Sequence, residues 1–174
     1  IADRRGIYYD ATGPSDLEYI LQTAEFTAAD RERAKALRDR IVALGITKYN
    51  VGAAAWQRRD DGRRVILVPG QVERDASIRY GAPDVSTNLG LLRAVREANP
   101  GAHVMYKPHP DVAAGLRSKG AGEDNAGSWC DEIVTDAAMG ALRDAVDEVH
   151  VLTSLAGFEA LLRKKRVVAY GQPF

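Results

Sequence analysis

One stretch of this chain leaves little choice of fold. Residues 148–170 read EVHVLTSLAGFEALLRKKRVVAY. Val149 and Val151 alternate with His150 and Leu152 in a run rich in β-branched residues, which breaks at Thr153-Ser154, hydroxyl residues suited to a helix N-cap. A helix then starts near Leu155. Phe158, Leu161 and Leu162 recur at helical spacing, and Lys164, Lys165 and Arg166 fill a last turn where cations suit the macrodipole. Val167-Val168-Ala169-Tyr170 resume as a buried strand before Gly171. Strand, helix and strand with so little between them form a βαβ unit, which requires a parallel sheet. Ligands of such sheets sit outside the carboxyl ends of the strands. Because a helix start offers free N–H groups to an anion, Ser154 marks the expected phosphate position.

The same alternation governs the chain from Arg63 onward. Val65-Ile66-Leu67-Val68 reads as the first strand. Ser86 or Thr87 caps a helix running through Leu91, Leu92, Val95 and Ala98, which Asn99-Pro100-Gly101 ends. A strand over 103–107, a polar loop over 117–128, a short strand at Ile133-Val134 and a helix marked by Met139, Leu142 and Val146 follow. The sheet has roughly four or five strands. Upstream, Leu17, Ile20, Leu21 and Ala24 share one helical face, as do Ala34, Leu37, Ile41 and Leu44 of a second helix that Gly45 ends. The charges opposite that second stripe, from Arg31 to Arg40, mix both signs, so this is a solvated surface and not a nucleic-acid face. The expected organisation is a helical connecting segment over 1–60 and a Rossmann-like α/β domain over 61–174.

Composition narrows the function. The 174 residues, 45% hydrophobic and 28% charged, suffice for a real core, and 24 basic against 24 acidic residues leave no global field for nucleic acid or an anionic membrane. Any phosphate site must be local. The single Cys130 excludes an internal disulfide and a cysteine-rich zinc site, as is usual for a cytosolic protein. No apolar run approaches the roughly 20 residues of a membrane span, and no signal peptide is seen. Membrane contact is at most peripheral. A start at Ile1 and a stop in a loop after a strand read as a piece of a longer protein.

Three strand ends carry unusual chemistry, and a parallel sheet brings them to one edge. The first is Gln71-Val72-Glu73-Arg74-Asp75, whose two carboxylates can act as base, acid or nucleophile, or can form a solvated turn with Arg74. The second is Lys107-Pro108-His109-Pro110-Asp111, where two prolines fix the direction of the imidazole, as a ligand or as a structural turn. No zinc site is expected, because His103 and His150 lie inside strands. The third is Thr153-Ser154, a plain cap or an anion site. Together they make a site for an anionic nucleotide.

These residues also carry a resemblance. The runs 68–78 (VPGQVERDASI), 106–112 (YKPHPDV) and 153–162 (TSLAGFEALL) resemble the KpsC family of capsular polysaccharide biosynthesis proteins, and the likeness extends through Gly6-Ile7-Tyr8-Tyr9-Asp10 and Thr47-Lys48-Tyr49-Asn50-Val51-Gly52. The family implies tandem retaining β-Kdo glycosyltransferase modules of Gram-negative bacteria, each of GT-B type, with two Rossmann-like domains around a cleft. This chain then resembles the nucleotide-binding half of one module, and its Gly-Gln-Val-Glu wording suggests the second. The implied donor is CMP-β-Kdo and the implied acceptor a Kdo-terminated glycolipid, handled in the cytoplasm beside other capsule proteins, with no metal or other cofactor. By the same resemblance His109-Pro110 and Thr153-Ser154 fall at the CMP site with Gln71, Lys107 and Glu159. Asp75 is the first choice of catalytic carboxylate and Glu73 the second. Other classes open to the sequence are a transferase or epimerase using a different nucleotide sugar and a non-catalytic partner in capsule assembly or export.

Overall fold

A computed structural model describes residues 3–48 and 56–172. Its centre is a five-stranded, wholly parallel sheet built from β1 (Val65–Pro69), β2 (His103–Lys107), β3 (Glu132–Ile133), β4 (Glu148–Val151) and β5 (Arg166–Ala169), in spatial order β3-β2-β1-β4-β5. The chain lays β2 and β3 on one side of β1, then returns to place β4 on the other. A topological switch point therefore lies between the carboxyl ends of β1 and β4, and in open α/β sheets this is where a crevice forms.

Period-two alternation decides which residues meet on each face. Ile66 and Val68 of β1 join Val104 and Tyr106 of β2 beneath α4 (Asn88–Ala98), which contributes Leu91, Leu92 and Val95. Val65 and Leu67 turn to the other face, against Leu142 of α6 (Met139–Ala145) and Ala160 of α7 (Leu155–Leu162). Ile66, Leu67, Leu92 and Leu142 are fully buried, and each contributes about 1.5–3 kcal/mol over exposure. With both faces covered, β1 reads as an unbroken apolar run, and β2 is buried from His103 to Lys107.

Several details depart from the sequence reading. The third strand is Glu132–Ile133, one residue earlier than expected. The helix after Ser154 stops at Leu162, Lys164 takes a left-handed backbone (φ 59°), and Arg166 opens β5. Lys165 does not finish its own helix but donates to the carbonyls of Asp144 and Val146, satisfying the end of α6. The large residues of α7 also point the wrong way for the expected core: Phe158 and Leu161 are exposed, while Ala156, Gly157 and Ala160 are buried and let the helix sit close to the sheet. As an edge strand, β5 is half-exposed and not buried.

The two upstream helices form as expected, with reciprocal caps. Ser15 and Glu18 box the start of α1 (Asp16–Thr23), and Thr27 and Asp30 that of α2 (Ala28–Ala43). Their apolar stripes bury nothing here, for neither helix contains a buried residue. Among the described residues no helix is long and apolar enough to cross a membrane.

Candidate functional site

At the switch point the chain builds a cavity of about 370 Å³, within the range of roughly 300–1,000 Å³ common for ligand sites. Its floor comes from the three strand ends: Gly70, Gln71 and Asp75 after β1, Lys107, His109 and Pro110 after β2, and Thr153 and Ser154 after β4. Glu159 of α7 and Met139 of α6 line one side. The remaining wall is made by Tyr8, Tyr9, Thr47 and Lys48 from the segment before the sheet.

Gln71 joins two of the strand ends. Its Nε2 donates to Thr153 Oγ1 at 2.7 Å and to Ser77 Oγ at 3.1 Å, so β1 and β4 are tied across the switch point. Its backbone is held in turn by the Asn88 side chain, which accepts from Gln71 N and donates to Gln71 O, both at 2.9 Å, in the manner of a neighbouring strand. Gly70 permits the close approach of the β1 and β2 ends, since a Cβ there would lie 2.7 Å from Tyr106 Oη and 3.1 Å from His109 N.

His109 is the N-cap of a short helix, α5 (Pro110–Ala113), with Pro110 at the first helical position where its missing N–H costs nothing. Its Nδ1 accepts from Asp111 N at 3.2 Å, which leaves the proton of the neutral ring on Nε2. Burial holds this imidazole below the usual histidine range, only partly offset by the carboxylates of Asp111 and Asp75. A ligand anion would favour its protonation. Lys107 is buried and donates to Thr135 O at 3.0 Å, and burial lowers its pKa as well. Ser154 caps α7, accepting from Ala156 N at 3.2 Å, so its own O–H remains to donate into the cavity.

The two acidic candidates part company. A turn closed by Asp75 N to Val72 O (2.9 Å) aims Asp75 into the cavity as the N-cap of α3 (Ala76–Gly81), with no side-chain cap bond to occupy it. Glu73 lies outside the cavity lining. It accepts from Asn88 N at 2.7 Å and Ala121 N at 2.8 Å, latching the 117–122 loop to the start of α4. Gly120 is required beneath that latch, because a Cβ would come within 2.2 Å of Glu73 Oε1. Glu73→Ala should therefore cost about 1–3 kcal/mol in thermal unfolding through orphaned backbone donors, with ligand affinity at the cavity unchanged in a parallel titration. The last candidate, Glu159, accepts from Lys48 N at 2.7 Å and from the buried Arg143 guanidinium.

Sequence reasoning missed Tyr8, Tyr9, Lys48 and Met139 as lining residues. The signal for the tyrosines was an aromatic pair beside a glycine with no helical or strand period around it. Residues 49–52, which share the family likeness, lie outside the described residues.

The family of capsule polysaccharide biosynthesis proteins matches residues 31–174. This chain belongs to that family. It is 47% identical over its whole length to the capsule polysaccharide modification protein LipA of Neisseria meningitidis (serogroup A / serotype 4A), of which it spans 25%. It is 42% identical to the lipopolysaccharide-processing protein LpsZ of Rhizobium meliloti, covering 99% of this chain and 40% of LpsZ. Among solved structures, the β-Kdo 2,7 transferase of Thermosulfurimonas dismutans KpsC superposes with a TM-score of 0.82 at 43% identity, over 99% of this chain and 52% of that one. The β-Kdo 2,4 transferase of the same protein gives 0.85 at 31% identity, over 99% and 55%. The parallel α/β fold of this family member is thus that of the corresponding part of Kdo transferase structures.

Proposed function

We propose that this chain is the donor-binding part of a retaining β-Kdo glycosyltransferase, which takes CMP-β-Kdo and extends a Kdo-terminated glycolipid during capsule assembly in the cytoplasm. The observation that carries this reading is the convergence of Ser154, His109 and Asp75 on one cavity at the switch point. Transfer breaks the bond between the anomeric carbon and the phosphate oxygen, and CMP departs with the electron pair. Developing charge on that phosphate is met by the helix start at Ser154 and by His109, which takes up a proton as the anion forms. Asp75 faces the sugar side, either as the nucleophile of a two-step path or as base and electrostatic partner in a front-face path, in which the acceptor hydroxyl enters on the face that CMP leaves. Both paths retain the β configuration. No step calls for a metal. Identity of 43% to a 2,7 transferase against 31% to a 2,4 transferase supports the 2,7 linkage.

The test is calorimetric titration of the full-length protein with CMP and UDP. CMP should bind and UDP should not, and Ser154→Ala should weaken CMP by about 1–3 kcal/mol through loss of a charge-assisted hydrogen bond. Equal affinity for both nucleotides, or unaltered CMP affinity in the variant, would defeat the assignment.

A further inference from the structure

The tyrosines at the cavity wall have no part in folding that the structure reveals. Ile7 O accepts from Asp10 N at 2.9 Å, which makes Tyr8 and Tyr9 the two central residues of a β-turn. Such positions ordinarily go to glycine, proline, asparagine, aspartate or serine. Neither ring belongs to a core cluster, both are about 40% exposed, and neither phenol hydroxyl has a hydrogen-bond partner among the described residues. The turn is nevertheless held in place. Asp10 accepts from the backbone and hydroxyl of Thr12 at 3.0 and 2.6 Å, and Asp3 accepts from the backbone of Gly6 and Asp16 at 2.9 and 3.0 Å. The rings meet edge to face, with centroids 5.5 Å apart and planes at 77°, so they form a corner with one open face.

That corner stands where the main cavity meets a second one of about 150 Å³, which Gly81 and Leu17 also line. Lys48 and Glu159, whose carboxylate accepts from Lys48 N, line the main cavity and not the second. The tyrosines line both cavities, and α3 joins the same two, with its N-cap Asp75 in the main cavity and its last residue Gly81 in the second. With a phosphate at Ser154, a nucleoside and a sugar must leave it in different directions, and the direction toward Asp75 belongs to the sugar. A pyranose offers an aromatic ring its C–H face and keeps its hydroxyls at the rim, where phenol hydroxyls can meet them.

We infer that the Tyr8–Tyr9 corner is a stacking platform for a pyranose ring, that of the transferred sugar or that of the acceptor. The inference rests on the donor-site reading above. The test uses the full-length protein, with free Kdo and its methyl β-glycoside as probes in saturation-transfer NMR and CMP in a parallel titration. Tyr8→Ala and Tyr9→Ala should each weaken sugar binding about 3- to 10-fold, while the phenylalanine variants stay close to wild type, and the thermal midpoint and CMP affinity hold. Transfer kinetics then separate the sources: a raised KM for CMP-Kdo assigns the corner to the transferred sugar, and a raised KM for the acceptor assigns it to the acceptor. Wild-type sugar binding in both alanine variants overturns the platform, and so does a loss of CMP affinity equal to the loss for sugar, which would make it a base-stacking site. A wild-type protein that ignores CMP but binds Kdo through these rings would overturn the nucleotide reading alone.

Discussion

Glu159→Ala is expected to destabilise the full-length protein by about 3–5 kcal/mol, the range for stripping a buried charge of its partner. The reason lies beneath the cavity wall. Arg143 is fully buried, and its Nη2 has no hydrogen-bond partner among the described residues. Among the described residues Nε reaches only Met139 O, at 3.3 Å, and the Glu159 carboxylate is the one counter-charge bonded to the guanidinium. Burial lowers the Arg143 pKa and Glu159 opposes that shift, yet an arginine does not escape the penalty by giving up its proton. Arg163 adds a second cation, donating to Glu159 O at 3.1 Å. The control is Arg143→Met combined with Glu159→Leu, which removes both charges together and should recover most of the loss. Urea unfolding decides the matter: a Glu159→Ala protein within 1 kcal/mol of wild type would show that water reaches Arg143. The cycle also protects the functional argument, since weak CMP binding by Glu159→Ala alone reports folding as much as recognition.

What the sequence made legible was the part governed by period and by capping. Strands β1, β2 and β4, the cap at Thr87 and the helix start at Ser154 follow from alternation and hydroxyl residues, and the parallel sheet follows from one βαβ unit. Where local signals were silent or shared, the reading slipped. The helix α7 ends on a left-handed Lys164 where glycine would ordinarily announce the stop, so its cations read as a last turn. Size misled the packing of the same helix, because close approach to the sheet selects Ala160 over Phe158 and Leu161.

The candidate site divides in the same way. Gln71, His109, Pro110, Thr153 and Ser154 share the cavity floor because a parallel sheet gathers its strand ends at one edge, and that follows from topology without any contact being known. The separation of Glu73 from Asp75 follows from a turn closed by one backbone hydrogen bond and from the distant Ala121 N, neither of which leaves a trace in local spacing. Lys48 and the tyrosines reach the cavity from more than a hundred and from more than sixty residues away from the elements they face, a closure that only the folded chain discloses.

Asp75→Ala should abolish detectable Kdo transfer while leaving CMP affinity close to wild type. The two outcomes separate because the proposed role of Asp75 is played at the sugar carbon, so its loss falls on transition-state stabilisation and not on ground-state nucleotide binding. The position is favourable for so clean a variant. Asp75 is exposed, its backbone already has the extended geometry of an N-cap (φ −65°, ψ 143°), and its side chain makes no cap bond that alanine would forfeit. Stability should change by less than about 0.5 kcal/mol, as at an ordinary surface site. One secondary effect has a fixed sign: the Asp75 carboxylate favours protonated His109, so its removal lets burial hold that imidazole still lower. The pH at which CMP binding takes up most protons should then lie lower in Asp75→Ala than in wild type, measurable by calorimetry across pH in buffers of different ionisation enthalpy. A Kdo-transfer assay beside a CMP titration on the full-length protein is the deciding experiment. If Asp75→Ala transfers at near-normal rates, the reacting carbon is served by another group, and Glu73, latched to Asn88 and Ala121 outside the cavity, is not placed to replace it.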